Sequence, residues 1–195
     1  FIPDAGVAPG ISNLLVGYMT RDMSHVRSVE IYVGGLPKEA SGPLMHMVNW
    51  SIRDFLDEYI RPARVVENRR IIEIDPFSTV ETIIIDDEEF EAFPTDGLRT
   101  LLKTISAERM FEKTLRYPGH MDRMRVLRDL GLLSTEPISI AGTRIRPVDF
   151  LAGLFSKIIY REDMRDIVLL VVRVSGETAK GNISRRAILR DVFDE

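Results

Sequence analysis

The residues whose types and spacing could do chemistry gather in the run Lys113-Thr114-Leu115-Arg116-Tyr117-Pro118-Gly119-His120. Arg, Tyr and His fall within five positions, around a Pro-Gly turn. A guanidinium at a strand end can grip a carboxylate through two parallel hydrogen bonds. The alternative for Arg116 is a structural ion pair with one of the chain's 30 acidic residues. His120 titrates near neutrality and is suited to relaying a proton, or else to capping the helix that begins near Met121. Trp50, the only tryptophan, either walls a mostly apolar ligand site or fills core. Asp96 stands before a short helix and is suited to capping it. His25 and His46 read as surface or core residues. Three scattered histidines without ligand spacing argue against a metal site.

Local patterns predict the elements that must position these groups. Apolar residues at 11, 14, 15, 18 and 19 have helical period and predict a helix over about 10–22. Val26–Val33 alternates as a strand that Gly34-Gly35 and Pro37 break. A further strand is expected over about 44–49, then a helix Ile52–Tyr59 with Ser51 as its N-cap. Two hairpins follow, around Glu67-Asn68 and Asp86-Asp87, the second with a solvated acidic tip. Leu98–Ile105 reads as a short helix, Met110–Leu115 as a strand and Met121–Leu130 as a helix stopped by Gly131. A small hairpin around Gly142, a helix opened by Pro147 and two long strands, 166–175 and 183–192, complete the chain. The pattern lacks regular βαβ alternation. It predicts an α+β fold with a largely antiparallel or mixed sheet covered on one face by helices.

Composition narrows the classes. At 195 residues the chain suits one domain, 1–195, with residues 118–160 a candidate small helical sub-region. A net charge of −4 argues against nucleic acid as a partner. There is no cysteine, which excludes disulfides and thiolate catalysis and fits either a reducing, cytoplasmic location or a hot environment. No apolar run approaches the roughly 18–20 residues that span a bilayer, so no membrane association is expected. The first residue is Phe rather than Met, and the chain opens on a loop, as expected of a domain excised from a longer protein. No Gly-x-Gly-x-x-Gly run joins a strand to a helix, and Gly6-x-x-x-Gly10 has the wrong spacing for a dinucleotide fingerprint.

Four further segments accompany the Arg116–His120 run: Pro3-Asp4-Ala5-Gly6-Val7-Ala8-Pro9-Gly10, Val33-Gly34-Gly35-Leu36-Pro37, Asn49-Trp50-Ser51 and Glu91-Ala92-Phe93-Pro94-Thr95-Asp96-Gly97. In this order and spacing, over roughly residues 1–133, the set resembles the substrate-binding and dimerisation domain of the saccharopine dehydrogenase family. That family includes saccharopine reductases, lysine 6-dehydrogenases and carboxynorspermidine dehydrogenases. The resemblance implies a sheet domain of the glyceraldehyde-3-phosphate dehydrogenase C-terminal type. It implies an NAD(P)-dependent oxidoreductase acting on the C–N bond of an amino acid of the saccharopine or lysine class. NAD or NADP would be held by an N-terminal Rossmann domain of the same polypeptide, with none expected in this chain alone, which would be inactive by itself. A homodimer is implied, with the strands near 166–175 and 183–192 as its candidate interface. Among site residues, the resemblance implies Asp4 and His120 as catalytic, and Trp50, Thr95, Asp96, Arg116 and Tyr117 as substrate-binding. Asp4 would lie near the nicotinamide cleft, to attract an amine or orient a water; the other reading is a turn residue capping the next helix. Thr95-Asp96-Gly97 stands where lysine dehydrogenases would show a Ser-Gly-Gly-like run. The other readings are a non-catalytic dimerisation or ligand-binding module and, over Met121–Leu170, a winged-helix-like regulatory fragment.

Overall fold

A computed structural model describes residues 4–193. Helix α1 (Ile11–Thr20) leads into β1 (His25–Pro37), and α2 (Ile52–Ile60) precedes two hairpins, β2 (Ala63–Glu67) with β3 (Arg70–Ile74) and β4 (Glu81–Ile85) with β5 (Glu88–Pro94). The short α3 (Leu101–Thr104) precedes β6 (Ala107–Arg116) and α4 (His120–Asp129). Then come β7 (Ile138–Ile140), β8 (Thr143–Ile145), α5 (Pro147–Ile158), β9 (Asp166–Thr178) and β10 (Gly181–Val192).

Local chemistry accounts for the ends of these elements. Both short hairpins turn on two residues with positive φ, Asn68 and Arg69 at 50° and 63°, Asp86 and Asp87 at 51° and 65°. Such a turn matches the right-handed twist of the strands it joins. Ser51 Oγ accepts the Asp54 N–H at 3.3 Å and caps α2. The Glu91 carboxylate takes the Gly119 and Met121 N–H groups, both at 2.8 Å, and so seats an anion on the N-terminus of α4.

The main sheet runs β10-β9-β1-β6-β2-β3. Only β1 and β6 pair in parallel, Val26↔Ala107 through Val33↔Thr114. β6 divides its other edge: β2 pairs with it at Met110, and β5 at Lys113 to Arg116. The result is a mixed, largely antiparallel sheet in an α+β fold.

Strand side chains alternate between faces. On one face, Val29, Ile31, Met110, Leu170 and Val172 pack beneath Val16 and Met19 of α1 and Leu101 of α3. On the other, Phe111, Leu115, Leu169 and Val171 meet Ile83, Ile85 and Phe90 of the β4–β5 hairpin. A third cluster joins Phe55, Leu56 and Tyr59 of α2 to Met121 and Met124 of α4, Val148, Leu151 and Phe155 of α5, and Phe93 of β5. Each such large apolar side chain contributes about 1.5–3 kcal/mol by leaving water. The helices within 118–160 thus share one core with α2 and the sheet.

Three expected elements differ in ways that shape the site and its core. β1 continues through Gly34-Gly35 to Pro37, because β9 pairs with it as far as Pro37↔Asp166. Residues 44–49 form no strand; Leu44, Met47 and Val48 are buried in the helical cluster, and only Val48 bridges to Tyr160. The helix expected over Leu98–Ile105 shortens to Leu101–Thr104, since Arg99 turns at φ 48°. Among the described residues no helix is long and apolar enough to cross a membrane.

Candidate functional site

A cavity of about 430 Å³ opens at the C-terminal halves of the two parallel strands. Its walls are Ala8-Pro9, Val33–Gly35 of β1, Trp50, one face of α2, Thr95–Gly97 after β5, and alternate residues of β6. Two periodicities build it. Asp54, Asp57, Glu58 and Arg61 line it from α2, at the spacing that shares one helical face, while Phe55 and Tyr59 on the opposite face anchor the helix in core. Glu112, Thr114 and Arg116 line it from β6 with period two. The alternate positions Phe111, Leu115 and Tyr117 belong to the opposite face.

Arg116 is only 2% exposed. Its Nη2 donates to Glu58 Oε2 at 2.5 Å, its Nη1 to the Leu115 carbonyl at 2.9 Å and its Nε to the Tyr59 hydroxyl at 3.1 Å. Tyr59 lies 2.7 Å from His120 Nε2, and His120 Nδ1 lies 2.7 Å from the Leu44 carbonyl. The carbonyl only accepts, so Nδ1 carries the proton and Tyr59 donates to Nε2. Burial, reinforced by the Arg116 charge, pushes the imidazole down to about 3. Burial also pushes Glu58 up, against the pull of its guanidinium.

Glu112 is 3% exposed. Its Oε2 accepts the Thr95 hydroxyl at 2.7 Å and the Gly97 N–H at 3.0 Å, while Oε1 receives no hydrogen bond from the described residues. Thr95 is held in turn by Thr114, hydroxyl to hydroxyl at 2.8 Å. A side chain at Gly97 would place Cβ 2.3 Å from Glu112 Oε2, so only glycine lets the backbone donate here. Burial pushes the Glu112 carboxyl up to about 8; the Thr95 and Gly97 bonds oppose the rise, and Glu58 and Asp96 add to it. The Arg116 charge interacts with Glu112, but its contact is with Glu58, and it does not offset this burial. Asp96 is neutralised by Arg64, whose Nε and Nη2 each reach it at 2.8 Å.

The cavity therefore collects Trp50, Thr95, Asp96 and Arg116 from the residues nominated by sequence. Trp50 is 39% exposed and meets Phe55 edge-on. Tyr117 lies on the far face, its hydroxyl donating to the Pro37 carbonyl at 2.8 Å. His120 is fully buried and connects with the cavity only through Tyr59 and Arg116. Asp4 is not part of the cavity wall; it pairs with Arg99 at 3.5 Å, although Ala8 and Pro9 of the same segment do line the cavity. Glu58, Tyr59 and Glu112 carry the geometry without having been marked by the motif. The alternation Glu112-x-Thr114-x-Arg116 was the signal for the last of these.

The segment before α1 does not offer a dinucleotide cradle. The glycines preceding α1 close on themselves: Gly6 N–H donates to Pro9 O, and Ile11 and Ser12 N–H donate to Gly6 O and Val7 O, each at 2.9 Å. Those amides are the ones a pyrophosphate would need at a helix N-terminus.

Comparison with known proteins agrees with this architecture. The family model for the saccharopine dehydrogenase C-terminal domain matches residues 6–192. The saccharopine dehydrogenase [NADP(+), L-glutamate-forming] of Schizosaccharomyces pombe is 28% identical over 143 residues, covering 67% of this chain and 32% of that protein. The apo saccharopine dehydrogenase (L-Glu forming) of Saccharomyces cerevisiae superposes with a TM-score of 0.75 at 21% identity, over 95% of this chain and 58% of that one. The chain thus spans about a third of the curated relative it matches. With nearly all of its described length matched, the chain belongs to the saccharopine dehydrogenase C-terminal domain family.

Proposed function

We propose that this chain is the substrate-binding domain of an NAD(P)-dependent oxidoreductase acting on the C–N bond of an amino acid of the saccharopine or lysine class. Family membership supports the reaction class. The observation that carries the reading is the cavity beside the parallel strands, with buried polar groups on its floor, Trp50 on its wall and the exposed Arg61, which Asp57 holds at 3.6 Å from one side, offering its remaining donors to a carboxylate. NAD or NADP enters on an N-terminal Rossmann domain of the same polypeptide, and the assembled protein is a cytoplasmic homodimer. What this chain's residues contribute is binding, orientation and exclusion of water around the amino-acid substrate.

The test is nicotinamide absorbance in the full-length protein, with lysine and saccharopine each supplied with NAD and NADP. Turnover with one pair is expected, and Trp50→Ala should raise KM about tenfold with little change in kcat, as loss of apolar wall predicts. No turnover with any of the four pairs would overturn the reading in favour of a non-catalytic ligand-binding module.

A further inference from the structure

Five carboxylates line the cavity against two guanidiniums. Three of the five are matched: Glu58 by Arg116 at 2.5 Å, Asp57 by Arg61 at 3.6 Å and Asp96 by Arg64 at 2.8 Å. Asp54 is exposed at the first turn of α2. Glu112 is buried, its Oε2 fixed by Thr95 and Gly97 and its Oε1 without a donor among the described residues. A buried carboxylate costs free energy unless it is paired with a cation or carries a proton. No described Lys or Arg makes contact with this one.

We propose that Glu112 is the ammonium-recognition residue of this cavity, so that the substrate enters as an alkylammonium ion whose N–H donates to Glu112 Oε1. The proposal rests on the reading of the cavity as the amino-acid pocket and specifies which end of the substrate reaches its floor. The exposed Asp54 offers the cation a first contact, and Glu112 its final one. A ligand bearing only carboxylates meets an excess of negative charge and leaves Glu112 uncompensated.

The step conserves charge in a measurable way. Burial keeps Glu112 protonated to about pH 8. When the ammonium arrives, the Glu112 O–H bond breaks and its proton passes to solvent, leaving a carboxylate against the cation. Nothing is oxidised or reduced. The charged groups facing Glu112 are Asp54, Asp57, Glu58 and Arg61 of the α2 wall, Asp96 with its Arg64 across the 95–97 loop, and Arg116 four residues along β6. Of these, only the acids push its proton affinity upward.

The experiment is isothermal calorimetry on the full-length protein at pH ~7, in phosphate and in MOPS, which differ in ionisation enthalpy. The probes are 1,5-diaminopentane and L-lysine as cations and glutarate as a dicarboxylate. The amines should bind with release of about 0.9 proton, the protonated fraction at that pH of a group titrating near 8. Glutarate should bind at least tenfold more weakly. Glu112→Gln should abolish the release and weaken amine binding tenfold or more. Tighter binding of glutarate than of the amines, or amine binding without buffer dependence in the wild type, overturns the proposal, and neither result needs the variant to fold. Amine binding with proton release but no turnover with either nucleotide keeps the ammonium site and removes the oxidoreductase reading. Turnover without proton release does the reverse.

Discussion

His120 holds a single tautomer because its two neighbours allow no other. Nδ1–H faces a carbonyl and Nε2 faces a hydroxyl that is itself held by Arg116. Protonating the ring would set a second buried cation near the guanidinium and leave Tyr59 without its acceptor. The ring should therefore stay neutral through the physiological range, and its imidazole proton resonances should not shift between about pH 5 and pH 8. An inflection near 6.5 would return His120 to the role of proton relay. Arg116 is held as tightly by its partners. Arg116→Ala leaves Glu58 charged with no partner and takes a donor from Tyr59, so it should cost about 3–5 kcal/mol in denaturant unfolding. Arg116→Met combined with Glu58→Leu should recover part of that loss, because the stranded charge is then gone as well. A single variant within about 1 kcal/mol of wild type would mean that the pair is solvated rather than buried.

Among the elements, β6 decides what reaches the cavity. Its alternation sends Met110, Glu112, Thr114 and Arg116 to one face, apolar beneath α1 and polar where the cavity begins. The same alternation turns Tyr117 away, although it adjoins Arg116 in sequence. The motif alone made neighbours in sequence look like neighbours in space. Caps, turns and the helical period of α1 were legible because each is a local preference. The extension of β1 past Gly34-Gly35 was not, since it depends on pairing with β9 more than 120 residues later. Residues 44–49 misled for the opposite reason: burial against three helices imitates the apolar density of a strand. Glu112 stayed unmarked because a charged residue in a strand normally reads as its solvent face. Its support is testable through Thr95→Val, which keeps volume but removes the hydroxyl. The lost bond favoured the ionised carboxylate, so the Glu112 titration should move above 8, and stability should fall by about 1–3 kcal/mol. A downward move would show that Thr95 was not its donor.

For the whole molecule, these buried groups set a pH optimum of stability. His46 is 1% exposed with neither ring nitrogen hydrogen-bonded among the described residues, stacked on Phe55 and edge-on to His120. Burial holds His46 well below 6.5, and His120 lies near 3. Below 6.5 the unfolded chain takes up two protons that the folded chain refuses, so stability is lost as pH falls. Glu112 acts with the opposite sign. Its folded value near 8 lies above the ordinary 4.5, so its contribution is complete below 4.5 and is lost as pH rises through 8. Between 4.5 and 6.5 the two histidines outweigh the one glutamate; above 6.5 the glutamate acts against no histidine. From these three groups the unfolding free energy of the chain should peak close to pH 6.5 and fall by about 2 kcal/mol towards pH 8. Glu58, also pushed up by burial, has the sign of Glu112 and draws the maximum towards lower pH. Glu112→Gln should consequently flatten the alkaline limb and steepen the acid limb between 4.5 and 6.5, where the two histidines then act without its opposition. Urea titrations of both proteins at half-unit pH steps would show this directly, and equal alkaline slopes would mean that Glu112 is already ionised when the chain folds.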